Sequence, residues 1–208
     1  MEDYSQYDLT ESDDYLIVNS TCLRNKLGFT STGELNAAEA EITKLTMAEL
    51  FINPVEATFN LKHLQEIHFR LFQDVYEWAG QIRTVEIAKG QTFFLPYRLI
   101  ESESVSVFAQ LHAEKLLQGL NKNDFGCRAG FYLAAINKIH PFREGNGRTQ
   151  RLLIEQLANL NGYVINWNAI SQEAMGQASR EARSQDPTAQ KLSRLIMLNT
   201  LTIDEALR

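Results

Sequence analysis

The densest run of chemically capable side chains is His140-Pro141-Phe142-Arg143-Glu144-Gly145-Asn146-Gly147-Arg148-Thr149-Gln150-Arg151. Pro141 discourages His140 from continuing a preceding helix, so the imidazole is expected at the mouth of a loop. Of the side chains in this run, His140 has the pKa suited to accepting a proton near neutrality. Gly145-Asn146-Gly147 can take positive φ and aim successive backbone N–H groups at one point, an anion nest. A helix starting there adds its own N–H groups and the positive end of its dipole. Arg148 and Arg151 then share one face of the first helical turn. Cations there oppose the dipole at a cost of roughly 0.3–1 kcal/mol each. Two of them make sense beside a multiply charged anion, since guanidinium matches phosphate bidentately. Glu144 supplies one carboxylate, which suits Mg2+ held otherwise by phosphate oxygens and water. Base, nest, arginine pair and carboxylate together describe phosphoryl or nucleotidyl transfer to a hydroxyl. Taken singly, each has a plainer reading: i,i+4 ion pairs Arg148–Glu144 and Arg151–Glu155, a structural histidine, a turn. Phe142 reads as an apolar anchor pinning the loop to the core.

Helices must position this loop, because helical periodicity dominates the chain. From an N-cap at Asn60, the residues Leu61, Leu64, Ile67, Leu71, Phe72, Val75 and Trp78 line one face up to a stop at Gly80. An earlier helix is expected from about Asn36, with Leu35, Ile42, Leu45 and Leu50 apolar, ending before Asn53-Pro54. Further helices are expected over Glu101–Leu120, Gly130–Ile139, the stretch from the loop to Asn161-Gly162, Ala169–Arg183 and Thr188–Leu198. Only Arg83-Thr84-Val85-Glu86-Ile87 alternates with period two; with the Lys89-Gly90 turn and Thr92-Phe93-Phe94 it predicts a hairpin over Gln81–Pro96. That hairpin is expected to be the one strand pair in an all-α chain. A lone hairpin is marginal, so it must lie on the helices or act as a docking edge.

The 208 residues suffice for one good core, with 44% hydrophobic and 22% charged residues. A formal net charge of -6 argues against direct nucleic-acid binding or an anionic membrane surface as partner. Cys22 and Cys127 have neither zinc nor disulfide-scaffold spacing. The acidic start Met1-Glu2-Asp3-Tyr4 lacks the features of a signal peptide, and no run approaches the ~18 apolar residues of a membrane span, so a cytoplasmic protein is expected. A secretion signal read by a receptor would escape this test, so translocation into a host cell stays open.

The segment 140–151 resembles the signature of the Fic family, His-Pro-Phe-x-(Asp/Glu)-Gly-Asn-Gly-Arg-x-x-Arg, with every specified position matched. The resemblance extends over roughly residues 35–200 and implies an all-α Fic fold, a helical bundle whose hairpin at about 81–96 is the family's flap. It divides the chain into an N-terminal extension, 1–34, and a Fic domain, 35–208. It implies a protein adenylyltransferase that moves AMP from ATP, with Mg2+, to a hydroxyl side chain of a target protein. His140 would be the base and Glu144 the metal ligand. Gly145, Asn146 and Gly147 would cradle the α- and β-phosphates, with Arg148 on the β-phosphate and Arg151 on the γ-phosphate. Val85, Ile87, Lys89 and Phe93 of the flap would dock the target by strand addition. Trp167 and Tyr163 could approach the adenine, although core packing is the plainer reading for both. The family's inhibitory helix, (Ser/Thr)-x-x-x-Glu-(Gly/Asn), has only a near match at Thr30–Glu34, where Leu35 follows and Gly33 disfavours a helix. The chain therefore resembles the class restrained by a separate small antitoxin bearing that helix, and reads as a toxin or effector. Some relatives of that class modify the ATPase subunits of type II topoisomerases. Alternatives on the same scaffold are transfer of phosphate, UMP or phosphocholine, or a Fic fold serving only as an interaction module. Gly147 and the intact arginine pair argue against the phosphate-transferring type.

Overall fold

The computed structural model describes residues 13–89, 92–184 and 189–208. The expectations for residues 1–12, for Gly90 in the flap turn and for Thr188 as a helix start lie outside them.

Eight helices carry the described residues: α1 (Thr32–Ile52), α2 (Leu61–Phe72), α3 (Ile100–Ala113), α4 (Lys122–Ile139), α5 (Asn146–Leu160), α6 (Gln172–Ser184), α7 (Gln190–Leu198) and the short α8 (Ile203–Ala206). Helix α2 begins as its sequence dictates, with the Asn60 side chain accepting from the His63 N–H at 2.9 Å. It ends at Phe72, and turns carry Val75, Tyr76 and Trp78 into the core. Helix α1 starts at Thr32, before the expected Asn36, so Gly33 and Glu34 lie in its first turn. Its buried face is Leu35, Glu39, Thr43 and Leu50, whereas Leu45 is 74% exposed. Two polar residues thus occupy the inward stripe, an arrangement that apolar periodicity alone misassigns.

Helix α4 also begins earlier than expected, at Lys122 rather than Gly130, because Asn121 caps it by accepting from Asn123 and Asp124. Its glycines serve close packing. A Cβ at Gly130 would lie 2.5 Å from Cα of Ser193, so α7 can run against α4 only while that position lacks a side chain. Helix α3 stops at Ala113, short of Leu120, and Val105, which the apolar pattern had turned inward, is 67% exposed. Helix α6 starts after a 3-10 turn at Trp167–Ala169. The core lies between α2, α4 and α5, with Ile67, Phe72, Phe125, Tyr132, Phe142 and Leu157 all nearly inaccessible.

The flap hairpin is shorter than expected: β1 (Ala88–Lys89) pairs antiparallel with β2 (Thr92–Phe93). It is not the sole strand pair. β3 (Tyr163–Ile165) pairs antiparallel with β4 (Thr200–Thr202), tying the end of the chain to the exit of α5. Strands of three residues are too short to display a period, which is why the sequence did not announce them. Before α1, residues 13–30 lie on the helices. The Lys26 N–H donates to the Val75 carbonyl, and Cys22 is buried. Both cysteines are free thiols. Among the described residues no helix is long and apolar enough to cross a membrane.

Candidate active site

Helix α4 ends at His140, which caps it in the left-handed region at φ 50°, ψ 64°. Such a backbone is strained for a side-chain-bearing residue and persists only when its surroundings over-determine it. Arg83 does much of that work. Its guanidinium, 1% exposed, donates from Nε to the His140 carbonyl at 2.9 Å, from Nη1 to Val85 O at 2.7 Å and from Nη2 to Leu95 O at 2.5 Å. Its main-chain N–H donates to Pro141 O at 2.9 Å. One cation therefore caps the negative end of α4 and knots both legs of the flap to the loop. From the same flap, the Phe94 ring stacks on the His140 imidazole at 3.7 Å between centroids. His140 Nδ1 lies 3.2 Å from the Asn137 carbonyl. A carbonyl can only accept, so Nδ1 carries the hydrogen and Nε2 is the basic nitrogen of the neutral ring. His140 is 6% exposed, deeper than a loop mouth suggests, yet it lines a cavity.

Below His140 the loop is closed on itself. Asn146 accepts from the Phe142 N–H at 2.9 Å and donates back to the Phe142 carbonyl at 2.7 Å. The Asn146 side chain is thereby occupied, leaving main-chain N–H as the group it can offer an anion. Phe142 is fully buried, as an anchor should be. Beneath it the His68 ring stacks at 3.9 Å, with Nε2 on the Glu144 carbonyl at 3.0 Å and Nδ1 accepting from the Gly80 N–H at 2.8 Å. Burial, with the Arg148 charge nearby, lowers the His68 pKa to about 3, so the ring is a neutral strut. Gly145 sits at φ +78°, and a Cβ there would meet the Phe72 ring at 2.3 Å. Only glycine fits.

Glu144 Oε1 accepts from the Gly145 N–H at 2.8 Å, so that N–H faces the carboxylate rather than an open nest. Burial, then the charge of Glu39, pushes the Glu144 pKa up to about 7, against the opposing effect of Arg148. Arg148 is 4% exposed. It donates from Nη2 to Glu39 Oε1 at 2.5 Å and from Nη1 to Thr43 Oγ1 at 2.9 Å, lies 4.0 Å from Glu144, and sits over the Phe72 ring at 4.7 Å. Tyr76 donates to the other Glu39 oxygen. Helix α1 thus supplies the counter-charge for the first motif arginine, a partner the i,i+4 reading did not contain. Arg151 is half-buried and borders the cavity. Arg143, in the variable motif position, pairs with Asp13 at 2.7 Å.

The cavity has a volume of about 480 Å3. His140, Glu144, Gly145, Gly147, Arg148 and Arg151 form its motif wall, and Gly147 is exposed to it. Lys89 and Phe94 contribute from the flap side. Trp167, Ile170 and Met175 form the far end, where Glu155 accepts from Trp167 Nε1 at 2.6 Å. Of the two aromatics considered for adenine, Trp167 therefore reaches the cavity. Tyr163 packs on Phe125 and donates to Leu120 O. Among the proposed docking positions Phe93 is 63% exposed, Val85 half-buried and Ile87 buried, so Ile87 can offer a partner only its backbone. Among the described residues no cluster of three or more His, Cys, Asp or Glu could hold a metal. Glu144 gives the motif wall one cavity-facing carboxylate, which fits a Mg2+ ion whose other ligands are phosphate oxygens and water.

Sequence reasoning did not find Arg83, His68, Glu39, Asn137 or Phe94. Only Glu39 left a trace, as a carboxylate on the inward stripe of Leu35 and Leu50.

The Fic/DOC family model matches residues 58–158. Protein adenylyltransferase VbhT of Bartonella schoenbuchensis is 40% identical over 82% of this chain, which spans 36% of that longer protein. The Escherichia coli K12 protein named "Probable protein adenylyltransferase Fic" is 38% identical over 85% of this chain and 88% of its own. Among solved structures, the ADP-bound N-terminal Fic domain of a VirB-translocated Bep effector from Bartonella quintana is 30% identical. It covers 93% of this chain and 98% of its own, with a TM-score of 0.85. The AMPPNP-bound BepC protein of Bartonella tribocorum is 26% identical over 90% of this chain and 96% of its own, with a TM-score of 0.84.

Proposed function

This chain belongs to the Fic/DOC family and is a protein adenylyltransferase, and on that premise we propose that His140, Glu144 and the start of α5 carry out AMP transfer from ATP to a hydroxyl side chain of another protein. The observation that carries the assignment is one cavity bordered at once by the His140 imidazole, the exposed Gly147 and Arg151. Nε2 of His140 accepts the proton of the target hydroxyl. The hydroxyl oxygen attacks the α-phosphorus, the bond from that phosphorus to the oxygen bridging to the β-phosphate breaks, and pyrophosphate leaves. The first-turn N–H groups of α5 face the phosphates with the positive end of the helix dipole. Arg151, one turn further on, takes the γ-phosphate, and Arg148 orders the β-phosphate end of the site from its fixed seat on Glu39. Glu144 is the protein ligand for Mg2+, which when bound neutralises polyphosphate charge. The flap edge around Val85–Phe93 aligns the target by main-chain pairing.

We also assign restraint by a small separate protein with an acidic helix. A second groove of about 390 Å3, bounded by Ala40, Thr43, Met47, Phe51, Arg148 and Arg151, offers an apolar floor with guanidinium groups at one end. A helix seated there would set a carboxylate against the arginine meant for the γ-phosphate. This is the arrangement expected of a toxin or effector held in check by its antitoxin.

The test uses ATP labelled separately at the α and γ positions, offered with host lysate and with type II topoisomerase ATPase subunits as first candidate targets. Label from the α position should reach protein, and His140→Ala should abolish transfer while leaving nucleotide binding largely intact. Protein labelled only from the γ position would overturn AMP transfer.

A further inference from the structure

Asn137 lies on the last turn of α4, three residues before His140, and its main-chain carbonyl fixes the His140 tautomer. Its side chain is only 8% exposed, and its Nδ2 has no hydrogen-bond partner among the described residues. Leaving a buried donor unmatched costs about 1–3 kcal/mol. Trp78 Nε1 and Gln150 Nε2 are likewise unmatched, but neither residue borders the cavity. Asn137 does, beside His140, Lys89 and Phe94. A chain optimised for stability alone would put leucine or alanine at this position, since the turn needs only the main-chain carbonyl of residue 137.

We propose that Asn137 is a substrate-contacting residue whose side-chain N–H donates to an acceptor oxygen at the reacting end of the nucleotide, the α-phosphate. The proposal rests on the AMP-transfer reading above. His140 must reach the hydroxyl that attacks the α-phosphorus, and a donor on the same turn of the same helix shares that neighbourhood. A neutral amide suits the task. It stabilises negative charge on a non-bridging oxygen as the attacking and leaving bonds change, without competing with His140 for the proton. Nδ2 is enclosed in the resting site, so the amide turns about its terminal torsion to present the donor, while its backbone is held at the Arg83-capped end of α4.

The test replaces Asn137 with leucine, of similar size and without the donor, and with aspartate, which keeps the shape and replaces the donor by an acceptor. Three readouts are compared with the wild type: the thermal midpoint, the affinity for magnesium AMP-PNP, and transfer of label from α-labelled ATP at saturating nucleotide. Transfer should fall at least about tenfold in both variants, in line with losing one preorganised donor, while the Leu variant melts no lower than the wild type. Undiminished transfer in the Leu variant would overturn the assignment. So would a drop in transfer matched by a drop in midpoint, which marks a structural asparagine, or an effect confined to the concentration of target required. A wild-type protein that binds no AMP-PNP and transfers no label would instead overturn the AMP-transfer reading itself.

Discussion

Arg148, on the first turn of α5, and Glu39, on the inward face of α1, meet at 2.5 Å across 109 residues of sequence, with side chains 5% and 2% exposed. Removing one partner of a buried pair typically costs 3–5 kcal/mol, because the remaining charge is left uncompensated. Glu39→Gln removes the charge and leaves one acceptor oxygen where Arg148 and Tyr76 each have their own, so it should destabilise by about 2–4 kcal/mol. Urea denaturation checks the value, and an unchanged midpoint would show that the pair is dispensable. Transfer should fall as well, since Arg148 loses the ion pair that fixes its direction.

Arg83→Lys replaces a planar fork with a point charge that cannot serve Val85, Leu95 and His140 together. The flap should loosen and the Phe94 ring should drift from His140. With four histidines in the chain, the His140 ring protons can be assigned by comparison with His140→Ala. Their ring-current shift from Phe94 should collapse in Arg83→Lys, and transfer should drop by about 10- to 100-fold. Retention of both would mean that the stack stands without the arginine.

Gly145→Ala places a methyl group into the Phe72 ring at a backbone angle that L-residues avoid. The left-handed conformation and the overpacking together should cost about 2–4 kcal/mol. Differential scanning calorimetry would register this as a lowered midpoint. A midpoint within a degree of the wild type would show that the Phe72 ring can step aside.

Burial raises the pKa of Glu155, although the hydrogen bonds from Trp167 and Ile165 oppose the shift. A carboxyl whose folded pKa exceeds its unfolded value binds its proton more tightly when folded. Stability therefore falls as pH rises from the unfolded value, about 4.5, through the folded one. Glu155→Gln keeps an acceptor for Trp167 and has no proton to lose. Its stability measured in urea should exceed the wild type's at pH 8, and the advantage should shrink towards pH 4.5. An equal difference at both values would contradict the buried-carboxyl account.

The catalytic segment was legible because its logic is local. A proline, two glycines, a carboxylate and the Arg148–Arg151 pair within twelve positions declare a loop entering a helix. The residues that hold it were not legible. Arg83 lies 57 positions from the carbonyl it caps, His68 sits 76 from the one it supports, and Glu39 is 109 from its guanidinium. No window of sequence contains both ends of such a contact. The helices followed from periodicity where apolar residues at steps of three and four dominate the inward face, as Leu64, Ile67, Leu71 and Phe72 do in α2. They misled where polar residues sat inside, as in α1, or where glycine admitted a neighbour, as in α4. β3 and β4 exist because the chain's end returns to α5, which is a fact of topology rather than of composition.

The pairing of Asp13 with Arg143, and of Glu39 with Arg148, bears on how the protein may be cut. The segment matched by the family model, residues 58–158, contains both arginines and neither acid. A fragment trimmed to those limits would carry an intact signature with two cations deprived of these acids, one of them enclosed beside Phe72. Expression work should therefore take the catalytic unit as starting no later than Asp13, because the part of the chain that looks most like a preamble supplies ballast for the motif itself.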